Sequence, residues 1–141
     1  MFSTPVLVLL CVIGTLNARV YGVLFERGPN KLVILCPDDG SPATVTIPGV
    51  PSYTVATRMS RSNRNGVVKF TLLWSSEERT SSTAQLNRVR ILPTRVPSDG
   101  LREVEFRGTR AWLRIGSSRF TRLQLDADEV MGWYTRLSHE E

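Results

Sequence analysis

One histidine, two cysteines and two lysines occur in the 141 residues, and each scarcity removes a class of function. The lone histidine, His139, stands at the very end of the sequence, so no histidine-based nucleophile relay or imidazole base is expected. One thiol and one terminal histidine do not assemble a structural zinc site, which wants four ligands. No Gly-x-Gly-x-x-Gly or Walker-type phosphate loop occurs, and no Asn-x-Ser/Thr glycosylation sequon. Asp38 and Asp39 are adjacent carboxylates, but Pro37-Asp38-Asp39-Gly40 is a turn signal. Asp126, Asp128 and Glu129 are accounted for by the helix start they occupy. No catalytic centre, metal, cofactor or small-molecule substrate is therefore expected.

Long hydrophobic runs are also missing. The most apolar stretch, residues 6–13, is far shorter than the about 20 residues needed to cross a bilayer. It lies within 18 residues that carry no charged side chain and end on the small Ala18. That outline is a secretory signal peptide over residues 1–18. A buried first strand of a cytosolic domain is the alternative. Cleavage would remove Cys11 and leave Cys36 without an intramolecular partner. Within the apolar run 32–36, Cys36 reads as a small buried hydrophobe rather than a reactive thiol, although intermolecular pairing is open to it.

The remainder, residues 19–141, is of single-domain size and can bury about 65% of its unfolded surface without disulfide or metal. Its charge is positive, 18 Lys and Arg against 13 Asp and Glu, and Lys31 and Lys69 are the only lysines. An arginine-dominated surface suits bidentate contact with phosphate or carboxylate and points to anionic partners.

From Arg19 onward, apolar residues recur at every second position between frequent turn signals, which predicts a mainly β domain. Tyr21, Val23 and Phe25 share one face of a first strand, and Arg27-Gly28-Pro29-Asn30 turns the chain into residues 32–36. Short strands follow over 44–47 and 53–59. The Asn65-Gly66 pair then supplies a hairpin turn. Val68, Phe70, Leu72 and Trp74 form the strongest apolar face and mark the returning strand as central. Residues 75–84, rich in Ser, Thr and Glu, read as a mobile loop and a midpoint break. Further strands are expected around Val89 and Ile91, around Val104 and Phe106, over 111–115 and over 119–125. Val130, Trp133, Tyr134 and Leu137 then shift to helical spacing, which predicts an amphipathic helix over 127–138. The whole reads as a single antiparallel β-barrel or sandwich of about seven to nine short strands closed by that helix. An immunoglobulin-like β-sandwich is the alternative, although the usual cysteine pair is missing.

Two stretches carry a family likeness. Tyr21-Gly22-Val23-Leu24 resembles the Gly-x-Leu opening strand of the pleckstrin-homology-like superfold. Trp112-Leu113-Arg114-Ile115, followed by a strand with Leu123 and a helix with Trp133, resembles that family's closing strand and helix. The resemblance implies a scaffold for protein or peptide partners. The lipid-headgroup variant wants several basic residues around the first hairpin, where only Arg27 and Lys31 stand.

The candidate anion-binding residues are Arg58, Arg61 and Arg64 around the hairpin tip, with Ser62, Asn63 and Asn65 adding small polar groups. A second group, Arg88, Arg90, Arg107, Arg110, Arg114, Arg119 and Arg122, falls on expected outward strand positions and either forms a basic stripe or pairs with Glu103 and Glu105. Few aromatics are free to stack bases, which argues against nucleic acid. The first functional expectation is a small secreted, non-enzymatic domain that binds an acidic protein or glycan. The second is a basic, matrix-type protein at an anionic membrane surface or on nucleic acid, membrane-associated or cytoplasmic if the leader is retained.

Overall fold

In the computed structural model, residues 19–116 apart from 63 and 109 are described, together with the backbone of 122–126. The apolar leader and the helix expected over 127–138 lie outside the described residues.

The alternating apolar pattern becomes eight antiparallel strands: β1 (Val20–Arg27), β2 (Asn30–Pro37), β3 (Ala43–Thr46), β4 (Tyr53–Ser62), β5 (Val67–Leu73), β6 (Leu101–Arg107), β7 (Arg110–Ile115) and β8 (Arg122–Asp126). Each strand pairs with the next in sequence, so the sheet is one continuous meander. This order differs from the Greek-key connections of an immunoglobulin-like sandwich. The sheet curls into a nearly closed barrel, and β4 makes the corner. Its first residues, Tyr53 to Val55, pair with β3, and Ala56 onward pairs with β5. Gly28 and Gly66 take positive φ (62° and 66°) in the β1–β2 and β4–β5 turns, where a side chain would be strained.

Period-2 burial fills the interior: Tyr21 and Val23 from β1, Leu32, Ile34 and Cys36 from β2, Val68, Phe70 and Leu72 from β5, and Ala111, Leu113 and Ile115 from β7. The curl is closed by aromatic contacts. Tyr21 of β1 reaches across to Phe70 (5.7 Å between ring centroids) and Phe106 (5.2 Å), and those two rings meet edge-on at 5.9 Å.

One expectation fails. Residues 75–84 are not a loop but most of a helix, α1 (Ser76–Val89), and Val89 ends that helix rather than lying in a strand. Its N-terminus is capped by Ser75 in a Ser-x-x-Glu capping-box sequence: the Glu78 N–H donates to Ser75 Oγ at 3.1 Å, and the Ser75 hydroxyl donates to Glu78 Oε1 at 3.2 Å. Its buried face is short and mostly polar, made of Ser82, Thr83 and Leu86, so it lacks the apolar stripe by which an amphipathic helix is read. Nor is it a domain break, because Leu86, Ile91, Leu92 and Val96 join the same core as the strands.

As the β5–β6 connection, α1 stands at the barrel end where the β1–β2 and β3–β4 connections also lie, and it bonds to both. Arg27 Nη1 donates to Arg90 O at 3.2 Å, and Gln85 Nε2 donates to Pro48 O at 3.1 Å. The segment after α1 is tied back by Asn87, which donates to Val96 O at 2.9 Å and accepts from the Val96 N–H at 2.7 Å. Among the described residues Thr83 Oγ1 is buried without a hydrogen-bond partner. Thr83→Val keeps the shape and removes that polar atom, so a gain of about 1 kcal/mol in denaturant unfolding is expected. Among the described residues no helix is long and apolar enough to cross a membrane.

Candidate binding site

Where β5 gives way to α1, Trp74 is fixed by its indole N–H, which donates to Leu101 O at 2.7 Å, and by an edge-on contact with Tyr53 at 5.6 Å. Leu73 beside it is 42% exposed, one of only two large apolar side chains, with Met59, so open to solvent among the described residues. Leu73 and Trp74 line a groove of about 320 Å³ with Arg58 of β4, Arg79 of the first turns of α1, and Arg102 of β6.

The position of Arg102 follows from a break in the ladder. Leu101 pairs with Ile115 and Glu103 with Arg114, which leaves Arg102 as the extra residue of a β-bulge. A bulge re-aims its side chain away from the regular alternation, and here it brings a guanidinium to the groove. Asp99 is the only carboxylate among the described lining residues. It lies 3.9 Å from Arg102 in an exposed pair worth no more than about 1 kcal/mol. Three guanidiniums against one carboxylate make the groove positive, and its apolar part is already half open.

The other expected residues are distributed differently. Arg58 sits on the outward face of β4 opposite Thr71, well back from the hairpin tip. Arg61 is held by Asp38 of the β2–β3 turn at 3.2 Å, and Asp38 also accepts from the Arg19 N–H at 2.9 Å. Arg64 stands exposed in the hairpin turn. The three are thus not brought into one pocket. Arg88 and Arg90 do not lie on a strand: Arg88 is exposed in the last turn of α1, where a cation complements the helix dipole, and Arg90 is its C-terminal cap.

On the later strands two of the expected arginines are paired, Arg110 is exposed, and Arg119 and the side chain of Arg122 lie outside the described residues. Arg114 pairs with Glu103 at 3.5 Å and Arg107 with Glu105 at 3.9 Å, while the Arg107 guanidinium lies over the Trp112 ring at 5.7 Å. Arg79 and Arg102 are not singled out by charge pattern alone, because one depends on α1 and the other on a bulge. The Ser75-x-x-Glu78 box is the signal that places Arg79 on a helix.

Cys36 is fully buried, and burial pushes its thiol up to about 12 from an ordinary 9.0. The unfolded chain therefore loses this proton first. The contribution to stability is whole below about pH 9 and is lost as pH rises towards about 12. A maleimide at neutral pH is expected to leave Cys36 untouched in the native protein and to label it fully in denaturant; rapid native labelling would contradict its burial.

Compared with protein-family models, with curated proteins and with solved structures, the chain matches none.

Proposed function

We propose that this chain is a non-enzymatic interaction domain whose groove takes an acidic segment of a protein partner. The observation that carries this is the pairing of exposed Leu73 and half-buried Trp74 with a rim of Arg58, Arg79 and Arg102. An apolar floor with a cationic rim fits a short peptide that offers one or two apolar side chains among Asp and Glu, and arginine and tryptophan are the residues that most often dominate such contacts. An acidic glycan would meet the rim but leave Leu73 unused. A protein partner is also what the pleckstrin-homology-like resemblance implies. With the 1–18 leader taken as an export signal, that partner is extracellular. The competing reading, a basic face laid on membrane or nucleic acid, has less support because Arg107 and Arg114 are already paired with Glu105 and Glu103.

The test is Arg58→Gln, Arg79→Gln and Arg102→Gln in one chain, with a leucine-containing, Glu-rich peptide as the probe in titration calorimetry. Losing three rim contacts at roughly 0.5–1 kcal/mol each is expected to weaken binding by about tenfold or more at an unchanged melting temperature. Unchanged affinity in a folded variant would remove the groove as the site.

A further inference from the structure

A second basic cavity lies at the other end of α1 and shares no residue with the groove. It measures about 340 Å³, and Arg27, Arg90 and Arg95 line it together with Asn87 and residues 92–94, with no carboxylate among the described lining residues. These arginines are 63 and 5 positions apart in sequence, and the fold alone brings them together.

Each is positioned by something firm. Arg27 ends β1, and among the described residues its guanidinium donates to Arg90 O at 3.2 Å. The 91–96 segment that carries Arg95 is anchored by buried Ile91, Leu92 and Val96 and by the paired Asn87–Val96 hydrogen bonds. Arg90 is the most telling. Its φ of 53° makes it the only non-glycine residue with positive φ among the described residues. Glycine is the usual occupant of a left-handed helix cap, so an arginine here takes on backbone strain in exchange for a guanidinium at the cavity. Attraction of cations to a helix C-terminus accounts for Arg88, and Arg27 bonds the capping carbonyl itself, but neither effect brings Arg95 to the cavity.

We propose that the Arg27–Arg90–Arg95 cavity is a binding site for a tetrahedral oxyanion, a phosphate or sulfate group, either free or at the end of a larger molecule. Guanidiniums meet such a group through paired, charge-assisted hydrogen bonds.

The test is titration of the isotope-labelled protein with pyrophosphate, glucose 6-phosphate and a sulfated glucosamine, each against sodium acetate at matched ionic strength, followed by amide and arginine Nε–H resonances. Saturable shifts at Arg27 and over 90–96 are expected with the phosphate or the sulfate probes, and the tighter of the two identifies the source. Arg27→Gln with Arg95→Gln is expected to weaken this binding about tenfold or more, whereas Arg88→Gln, two residues before Arg90 and outside the cavity lining, should change it by less than about twofold. Arg90→Gly should weaken binding while the melting temperature holds or rises, a combination that a purely structural role for Arg90 does not produce. No saturation, an equal response to acetate, or unchanged affinity in the Arg27/Arg95 variant or in Arg90→Gly would overturn the proposal and leave the peptide groove untouched.

Discussion

Replacing Phe70 with alanine is expected to remove about 3–5 kcal/mol of folding stability, a large share of what a domain of this size holds. Phe70 is fully buried at the centre of β5, and its ring touches Tyr21 of β1 and Phe106 of β6. The truncation therefore opens a cavity where the curled sheet meets itself and also removes two aromatic contacts, each worth about 0.5–1.5 kcal/mol beyond area burial. A urea unfolding midpoint measures the loss. A change under about 1 kcal/mol would mean that the interior collapses onto the gap and is not packed as described.

The second large effect is expected at Asn87. Its side chain makes both hydrogen bonds to the main chain of Val96, a buried residue, so Asn87→Ala strands a buried N–H and a buried C=O at once. With each orphaned group costing about 1–3 kcal/mol and some relief from solvent, a total loss of about 2–3 kcal/mol is expected. Asn87→Asp retains the acceptor and should fall between the parent and alanine. Hydrogen exchange at the Val96 amide reports the same event locally, with protection lost in Asn87→Ala. Parent-like exchange and stability would show that the 91–96 segment is held by its apolar residues alone.

Much of the barrel was legible in the sequence because strand chemistry is local. Alternation placed Tyr21, Val23, Val68, Phe70 and Leu72 inside, and Gly28 and Gly66 marked turns that require positive φ. The helix α1 was not legible from periodicity. It packs across one end of the barrel through Ser82, Thr83 and Leu86, so its sequence carries no apolar stripe, and only the Ser75–Glu78 capping box announced it.

Site residues divide in the same way. Arg58 was read as part of the hairpin tip, whereas its place on β4 opposite Thr71 sets it at the groove instead. Arg79 depends on the helix, and Arg102 on a bulge that leaves it unpaired between Leu101 and Glu103. Pairing partners were only partly foreseeable: Glu105 shares a strand with Arg107 and Glu103 sits on the strand next to Arg114, whereas Asp38 reaches Arg61 from a turn 23 positions away. Charge pattern in sequence thus lists the cations, and the fold decides which are spent on carboxylates and which remain for a partner.

The most direct measurement is an amide and indole N–H shift map of the labelled protein titrated with the leucine-containing, Glu-rich peptide. The account predicts saturable shifts at Leu73, the Trp74 indole, Arg79 and Arg102, with the barrel's far end unmoved. Shifts centred instead on the 62–66 hairpin tip or on Trp112 and its neighbours, or none that saturate, would contradict the groove as the binding site.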